Sequence, residues 1–302
     1  MNGNSKATSG VVNLHKPSGM TSRQAVDCVK RLLRPAKTGH AGTLDPLASG
    51  VLVVCVGAAT RLVAYVQAMP KRYRGTFLLG RESDTEDIEG EVRLVSNGCQ
   101  PTEAEIRAAA ARFVGEIEQR PPAYSALKVS GRRAYELARA GKPVELAPRP
   151  IVVHRIDVVR YTFPELVLDV ECGSGTYLRS LGRDIAEAVG TAAVMSSLVR
   201  TAIGGFRLED ARLPDQLTCE APDEWLRPPL SAVQQLAKVT LTDQEIGRVR
   251  RGLAIPDPRS SIGVEAIERE EIAAVDDCNS LVAILVGQRD RTLRPVLNLA
   301  NR

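Results

Sequence analysis

The chain has 302 residues, 44% of them hydrophobic and 25% charged, and its formal net charge at pH 7 is +4. This composition excludes fibrous and wholly disordered proteins, and the length suits one large domain or a large domain with a small one. No apolar run reaches the roughly 18 residues that a membrane-spanning helix needs, and the first ten residues lack the apolar core of a signal peptide. We therefore expect a cytoplasmic protein that does not contact membranes and has a flexible N-terminus at residues 1–9.

The first part of the chain is predicted to mix short strands with helices. Thr21 or Ser22 can cap a helix whose apolar residues keep helical spacing, and Pro35 follows its expected end. Thr102 and Glu105 form a capping-box pattern that predicts another helix. The aliphatic run at 51–56 is typical of a strand buried on both faces. In chain order, we predict a strand at 11–14, a helix from about 22 to 33, a strand at 51–56, a helix at 59–68, a strand at 73–79 and a helix from 103 to about 114.

The second part of the chain continues without regular β-α-β alternation, which favours an α+β fold with a central mixed, mainly antiparallel sheet flanked by helices and loops. Prolines cluster between 214 and 229 and indicate a boundary near 232. We expect a large domain at 10–232 and a small β-rich module at 233–302. In chain order, we predict a helix at 133–140, strands at 151–163 and 166–172, a helix at 176–189, an undecided segment at 194–203, a helix at 242–251 and three short strands, the clearest at 281–286.

The pattern of cysteines, histidines and glycines speaks against bound cofactors. Six cysteines and three histidines are scattered without Cys-x-x-Cys spacing, which argues against a structural zinc site. Neither a P-loop nor a Gly-x-Gly-x-x-Gly motif is present, so nucleotide cofactors are unsupported. Cysteines in apolar runs, such as Cys55, are typical of buried free thiols in a reducing compartment. We therefore expect no metal and no cofactor.

Basic residues form several short clusters along the chain. From charge alone, we expect these clusters to lie on separate solvent-exposed faces and not to form one polyanion-binding surface. The low aromatic content of 4% excludes a broad base-stacking platform. The clusters are Lys30-Arg31 with Arg34 and Lys37, Lys71-Arg72 with Arg74, Arg132-Arg133, and Arg248 with Arg250-Arg251.

The most informative segment is Gly-His-Ala-Gly-Thr-Leu-Asp-Pro-Leu-Ala-Ser-Gly at 39–50, which places Asp45 between two leucines and a proline. A carboxylate in apolar surroundings loses hydration and needs a partner for its charge, as a nucleophile or general base does. An isolated Asp-Pro is usually a surface turn. The whole string instead favours a functional loop, in which His40 could contact a nucleobase or simply pack.

Four other segments are candidates for chemistry. The turn at 16–22 carries Lys16 before a helix. Tyr73 lies among three cations at 71–75, which suits either a flipped base beside phosphates or an exposed edge strand. A basic loop at 121–135 could reach over a ligand or form a solvated hairpin. At 173–181, glycines lead into a helix start with Tyr177 and Arg179, and an arginine near Asp45 would keep that carboxylate ionised. The residues alone indicate an acid-dependent enzyme acting on nucleic acid, without giving the reaction.

In order and with sensible spacing, these segments closely resemble the TruB family of pseudouridine synthases, from Gly10 to about Phe206. The resemblance implies the pseudouridine synthase fold and a transfer RNA partner bound through its T-loop and arm. It also implies isomerisation of the uridine at position 55, with no metal, no cofactor and no obligate protein partner. The uridine is flipped out, the N1 glycosidic bond is cleaved with the help of the aspartate, and the uracil rotates and is reattached through C5. The atom that the aspartate attacks is left open.

The resemblance also implies roles for individual residues. Asp45 is the catalytic nucleophile or base, Tyr73 packs on the flipped base and shields Asp45, and Arg179 pairs with Asp45. His40 supports the nucleotides that flipping vacates, and Tyr177 and Leu198 line the uracil pocket together with Tyr73. The segment at about 121–150 grips the RNA, and the candidate RNA contacts are Lys16, Lys71, Arg72, Lys128, Arg132 and Arg133.

Two features depart from the family pattern. The family usually has two arginines after the leucine that matches Leu198, and this chain has Val199 followed by Arg200. The part at 233–302 is short for the PUA domain that holds the acceptor stem in many members, so we expect a PUA-like RNA-binding module. We also expect a monomer.

Two other functions are weighed against this one. A non-catalytic RNA-binding or RNA-folding protein on the same scaffold would not require a buried acid. An acid-dependent glycosidase usually needs a second carboxylate, which Asp84, Glu86 or Asp87 could supply, although their segment is typical of a turn.

Overall fold

The computed structural model describes residues 8–95, 100–125, 146–259 and 269–299, together with 127–129, 132–134 and 137. The predicted helix at 133–140 lies largely outside the described residues, as do the side chains of Lys128, Arg132 and Arg133.

Three of the described α-helices begin after a threonine that caps their free N–H groups. Thr21, Thr102 and Thr242 each form a capping box with a Gln or Glu three residues later. The α-helices with described bounds are α1 Ser22–Leu32, α2 Val63–Ala68, α3 Glu103–Ala111, α4 Leu178–Glu187 and α5 Asp243–Arg250. Short 3-10 helices span Gly57–Leu62, Leu208–Asp210, Pro214–Gln216, Pro222–Glu224 and Pro229–Val233.

A ten-stranded sheet forms the centre of the molecule. Its strand order is β14-β1-β3-β12-β4-β11-β10-β7, with β2 added beside β3 and β13 beside β12. All pairings are antiparallel except that of β12 with β3, so the sheet is mixed and mainly antiparallel, as predicted. Its strands are β1 Gly10–Lys16, β2 Thr38–His40, β3 Ser49–Val56, β4 Lys71–Leu79, β7 Gly115–Gln119, β10 Arg149–Thr162, β11 Glu165–Cys172, β12 Ala193–Ile203, β13 Phe206–Arg207 and β14 Leu226–Arg227.

Two small hairpins lie outside this sheet: β5 Arg81–Glu82 pairs with β6 Arg93–Leu94, and β8 Lys128–Val129 pairs with β9 Arg132–Arg133. Arg133 therefore ends a strand, where a helix start was predicted.

Strand β3 is buried on both faces, which confirms the prediction from its aliphatic run. Leu52, Val54 and Val56 pack in one core with α1, and the alternate residues Val51, Val53 and Cys55 pack in a second core. Alternate residues of β3 therefore point to opposite cores. Because β3 lies between β1 and β12, the loop that precedes it and contains Asp45 is attached to an interior strand of the sheet.

Helices α3 and α4 cover one face of strands β4, β10, β11 and β12. Gly182 on α4 permits this close packing, because a Cβ at that position would overlap the ring of Phe77 on β4. The packing fixes α4, and therefore Arg179 in its first turn, against the sheet.

The C-terminal part forms a second, five-stranded sheet with its own core around α5. Its order is β15-β17-β18-β19-β16, and the pairing of β15 with β17 is parallel. Ala273, Val275 and Ile284 from this sheet also pack with Val53 and Phe206 of the large sheet. The strands are β15 Ala237–Thr240, β16 Ile255–Pro256, β17 Glu271–Val275, β18 Leu281–Gly287 and β19 Thr292–Asn298.

The predicted α+β class is confirmed, and the differences concern element type and bounds. The predicted helix at 59–68 begins as a 3-10 helix and becomes α2 only at Val63. The undecided segment at 194–203 is β12, which lies between β3 and β4. Among the described residues, no helix is long and apolar enough to cross a membrane.

Candidate active site

The loop that carries Asp45 is held from one side by the turn at 16–22. Ser22, the first residue of α1, is buried, and its hydroxyl lies 2.8 Å from both the N–H and the carbonyl oxygen of Leu44. The Gly19 N–H donates to the carbonyl of Pro46 at 2.8 Å, and the Ser18 hydroxyl donates to that of Leu47 at 2.9 Å. The residues on either side of Asp45 are therefore fixed by hydrogen bonds to their main-chain groups.

Lys16 belongs to this support and not to the surface. It is fully buried, and its Nζ donates to the carbonyls of Met20, Pro17 and Pro46 at 2.6, 3.0 and 3.4 Å. Burial lowers the pKa of Lys16 to about 8, while the charge of Asp45 opposes the shift. This burial speaks against a direct RNA contact of Lys16, because its ammonium is used to satisfy main-chain carbonyls.

Arg200 holds the same loop from the opposite side. Its side chain is 1% exposed, and the guanidinium donates from Nε to the carbonyl of Val51 at 2.7 Å, from Nη2 to that of Gly42 at 3.1 Å and from Nη1 to that of Thr43 at 3.4 Å. Gly50 allows this approach, because a Cβ there would overlap the Arg200 main chain. One buried cation thus ties two residues of the loop, and the strand that follows it, to β12.

Asp45 forms the ion pair predicted from the sequence. Its Oδ2 lies 3.0 Å from Nη2 of Arg179, whose side chain is 6% exposed, whereas the Asp45 side chain is 41% exposed. The partner is therefore buried while the carboxylate itself remains accessible. A charge-assisted bond of this kind fixes the orientation of the carboxylate, and an accessible carboxylate can act as a nucleophile or a base.

Arg179 is held by three further acceptors. Nη1 lies 3.3 Å from Oδ2 of Asp87 and donates to the carbonyl of Thr85 at 2.6 Å, and Nη2 donates to the carbonyl of Tyr124 at 3.1 Å. The Asp87 side chain is only 5% exposed. Because all these acceptors surround one planar group, the guanidinium has little freedom to leave Asp45.

The turn at 83–89 that supplies Asp87 is itself well fixed. Asp87 Oδ1 accepts from the Thr85 hydroxyl at 2.6 Å and from the Glu89 N–H at 3.1 Å. Glu86 has a positive φ of 61° and pairs with Arg183 of α4, and its Oε2 accepts from the Ser180 hydroxyl at 2.7 Å. The segment is a turn, as predicted, but the carboxylates of Glu86 and Asp87 are bound to α4.

Tyr73 and Leu198 contribute to the apolar wall beside Asp45. Both pack in the cluster that contains Leu44 and Ala48. The guanidinium of Arg200 lies 6.0 Å from the centroid of the Tyr73 ring, at the edge of cation–π range. Burial raises the pKa of Tyr73, and the nearby Arg200 opposes this shift by its charge and by a hydrogen bond. The Tyr73 hydroxyl is therefore a neutral group at physiological pH.

His40 lies in β2, next to the loop. Burial and, to a smaller extent, the charge of Arg200 lower the pKa of His40 below its usual 6.5, which favours a neutral ring at pH 7. Its Nδ1 is buried and has no hydrogen-bond partner among the described residues. A neutral histidine ring can stack on a nucleobase.

Tyr177 is placed by Gln119, which the sequence did not indicate. The buried Gln119 side chain accepts from the Tyr177 N–H at 2.9 Å and donates to its carbonyl at 3.1 Å. The Arg149 guanidinium lies 5.1 Å from the Tyr177 ring centroid. Tyr177 directly precedes α4 and lies two residues before Arg179, so its position follows that of the helix.

The cations around Tyr73 have partners within the protein. Lys71 is buried, and its Nζ donates to the Ser174 hydroxyl at 2.8 Å, which speaks against a direct RNA contact. Arg72 is exposed and pairs with Glu171 across the sheet at 3.0 Å, which leaves its RNA contact a prediction.

One group of potential metal ligands occurs among the described residues, at Asp276, Asp277 and Cys278 in the turn after β17. Two of these three residues are exposed, and exposed acidic groups are common without an ion. The group therefore does not define a metal centre.

The geometry agrees with comparisons to known proteins. Residues 30–178 match the model of the TruB family pseudouridylate synthase N-terminal domain. A Thiobacillus denitrificans protein named tRNA pseudouridine synthase B is 42% identical over 262 residues, which cover 86% of this chain and 88% of the relative. An Arthrobacter protein of the same name is 40% identical over 298 residues and 97% of each chain.

Solved structures resemble this chain in fold. A chain in a crystal structure of a Cbf5–Nop10–Gar1 complex superposes with a TM-score of 0.72 at 27% identity, covering 97% of this chain and 84% of that one. A chain of an H/ACA RNP bound to a substrate RNA containing 2'-deoxyuridine gives 0.73 at 24%, covering 97% and 86%. The family model and the relatives of 40% and 42% identity show that the chain belongs to the TruB family of pseudouridylate synthases, in agreement with the Asp45 loop and its pairing with Arg179.

Proposed function

We propose that this protein isomerises a uridine of transfer RNA, at position 55 in the T-loop, to pseudouridine. The observation that carries the proposal is the pairing of an accessible Asp45 carboxylate with a buried, fully engaged Arg179. RNA binding alone would not require such a pair, because phosphates and bases are bound by cations and aromatic rings at the surface. The non-catalytic alternative is therefore disfavoured.

The reaction requires the target base to leave its stack and enter the space above Asp45. Flipping a nucleotide costs a few kcal/mol of unstacking, which contacts to the extruded base and its vacated neighbours must offset. Tyr73 and Leu198 offer an apolar wall for the uracil, and the neutral His40 suits the vacated position. Tyr177, at the start of α4, is our candidate for a further pocket residue.

Asp45 then promotes cleavage of the bond between N1 and the ribose, and the uracil rotates before a bond forms between C5 and the same ribose carbon. N1 gains a proton and C5 loses one, so the atoms balance within a single nucleotide. No electron transfer occurs, and the isomerisation therefore has no need of a redox cofactor. Arg179 orients the Asp45 carboxylate for this step.

A glycosidase mechanism is disfavoured by the position of the second carboxylate. A second acid would have to donate a proton to the leaving group or activate a water. Asp87 lies on the far side of Arg179, is 5% exposed and already accepts from the Thr85 hydroxyl. It therefore serves Arg179 and has no open face for a substrate.

We further propose that residues 10–232 form the catalytic domain and that 233–302 form a PUA-like module that contacts the same RNA. With transfer RNA as the substrate, we propose the cytoplasm as the site of action.

The test is to incubate the purified protein with an unmodified transfer RNA transcript and to map the modified nucleotide. We expect pseudouridine at position 55, no product from the Asp45→Asn variant, and nearly equal RNA affinity for both proteins. Asp84→Asn, which removes an exposed carboxylate from the neighbouring turn, is the matched control and should retain activity. An active Asp45→Asn variant would contradict the assignment.

A further inference from the structure

A groove lies beside α1, next to the turn that supports the catalytic loop. It has a volume of about 870 Å³ and lies between the turn at 17–20 and the exposed face of the helix. The residues that line it from α1 onward are Gln24, Asp27, Cys28, Lys30, Arg31 and Arg34.

The groove carries uncompensated positive charge. Lys30, Arg31 and Arg34 are exposed, and none of them forms an ion pair within the described part of the chain. The single acid of the lining, Asp27, is already paired with Arg23 at 3.1 Å. Three cations therefore face solvent with no carboxylate to neutralise them, an arrangement that attracts a polyanion.

Hydrogen bonds join the wall of the groove to the Asp45 loop. Ser18 and Gly19, which form its near wall, are the residues whose hydroxyl and N–H bind the carbonyls of Leu47 and Pro46. The wall of the groove is therefore also the support of the catalytic loop. Lys30, Arg31 and Arg34 lie close together in sequence at the end of α1 and line the same groove, which suits a strand that carries several phosphates.

We propose that this α1 groove binds the phosphodiester backbone of the RNA strand that flanks the flipped nucleotide. The proposal rests on the proposed function, because that function places an RNA nucleotide above Asp45. Lys30, Arg31 and Arg34 contact phosphates, while the polar Ser18 and Gln24 border the sugar-phosphate chain. These contacts position the RNA and carry no sequence information of their own.

The first test uses salt dependence, because each cation that neutralises a phosphate releases counterions. The Lys30→Gln/Arg31→Gln/Arg34→Gln variant and its parent are titrated with an unmodified transfer RNA transcript at several salt concentrations. We expect weaker binding, and a slope of log affinity against log salt that is less steep by roughly 2 to 3, at about 0.7 to 0.9 per lost phosphate contact. The KM should rise by more than kcat falls.

The matched control is Arg112→Gln. Arg112 is an exposed arginine at the end of α3 that does not line the groove and has no ion pair in the described part of the chain. It should leave the salt slope and the activity unchanged. Lys30 and Arg31 also complement the dipole of α1 at its C-terminus, so thermal unfolding of the triple variant is measured in parallel.

The second test uses the unaltered protein and so does not depend on how a variant folds. Cys28 is a half-buried free thiol inside the groove, with Arg31 Nη2 at 3.3 Å from its sulfur, whereas Cys219 is exposed and does not line the groove. We expect bound transfer RNA to slow alkylation of Cys28 by N-ethylmaleimide several-fold and to leave that of Cys219 unchanged. Equal rates at Cys28 with and without RNA would overturn the proposal.

The outcomes separate the groove from the reaction. A parent protein that makes pseudouridine, with a triple variant that keeps the parental salt slope, would refute the groove and leave the function intact. Loss of RNA affinity in the variant, with a parent that makes no pseudouridine, would refute the function and support the groove.

Discussion

Asp45 and Asp87 bind the two terminal nitrogens of the same guanidinium, at 3.0 Å from Nη2 and 3.3 Å from Nη1 of Arg179. The two carboxylates differ in access to solvent, since Asp45 is 41% exposed and Asp87 only 5%. One acid is therefore available for chemistry, and the other fixes the cation that controls it. This division means that Asp87 can influence the reaction without touching the substrate.

Asp87→Asn should reduce the rate of isomerisation while leaving RNA affinity largely intact. Asparagine keeps an acceptor for the Thr85 hydroxyl but removes the charge that holds Arg179. A hydrogen bond to a charged group is worth about 1.5–3 kcal/mol, which corresponds to a roughly 10- to 100-fold lower single-turnover rate if the loss falls on the transition state. Rapid-quench measurements at saturating RNA would give this rate.

The control for this variant is Glu89→Gln, which removes a negative charge from the same turn and has no ion pair with Arg179 in the described structure. It should stay within a few-fold of the parent. If Asp87→Asn had the same small effect, Arg179 would not need Asp87 for its position.

Arg200→Lys should loosen the catalytic loop although it keeps the charge. A lysine has one compact ammonium and cannot reach the carbonyls of Val51, Gly42 and Thr43 with the spread of a guanidinium. Leaving buried carbonyls unsatisfied costs about 1–3 kcal/mol each. We expect a lower free energy of unfolding by urea and a more than tenfold loss of kcat.

Arg74→Lys offers the comparison on the neighbouring strand. Arg74 also binds with two nitrogens, to Asp169 at 2.7 Å each, but it is exposed. An exposed pair contributes about 0–1 kcal/mol, so this variant should be nearly as stable and as active as the parent. Equal losses in the two variants would show that the loop contacts of Arg200 are unimportant.

Tyr73→Phe should separate the ring of Tyr73 from its hydroxyl. The phenylalanine keeps the apolar wall beside Leu198 and loses only the hydroxyl. One hydrogen bond from that hydroxyl to the substrate would be worth about 0.5–1.5 kcal/mol, so the single-turnover rate should fall by up to about tenfold. Tyr73→Leu, which also removes the aromatic ring, should lose considerably more. Unchanged kinetics in the phenylalanine variant would deny any part to the hydroxyl.

The sequence was most informative where local rules decide the structure. Thr21 and Thr102 start their helices as their capping patterns predict, and the aliphatic run of β3 is buried on both faces. The pairing of Asp45 with Arg179 could also be expected, because the family pattern keeps both residues. These features depend on short segments or on a specific motif.

The contributions of Asp87, Arg200 and Gln119 depend on distant contacts that no short segment encodes. The acidic run around Asp87 satisfies every local criterion for a turn, and only the packing of α4 brings Arg179 beside it. Arg200 matches the family pattern beside the departure at Val199, but its three carbonyl partners all belong to another part of the chain and were not expected.

The alternation of buried residues along β4 could have predicted that Lys71 is buried, although its charge suggested an exposed position. In β4 the residues Gly75, Phe77 and Leu79 are buried at every second position, and extending that alternation backwards reaches Lys71. A cation is normally placed at the surface by default. Here its Nζ finds the Ser174 hydroxyl, so the strand period decided its position.

The stability of the protein should depend on pH through His40. Its pKa is lowered in the folded state, chiefly by burial, so below pH 6.5 the unfolded chain binds a proton that the folded chain resists. Stability is therefore fully present above about pH 7.5 and falls as the pH drops through 6.5, by at most about 1.4 kcal/mol per pH unit for this one group.

The measurement is the free energy of unfolding by urea between pH 5 and 8 for the parent and for His40→Asn. His15, whose pKa is also lowered by burial and by Lys16, titrates in both proteins and cancels in the difference. The variant should lose less stability than the parent on acidification, and parallel curves would show that the His40 ring takes up its proton as readily in the folded protein as in the unfolded one.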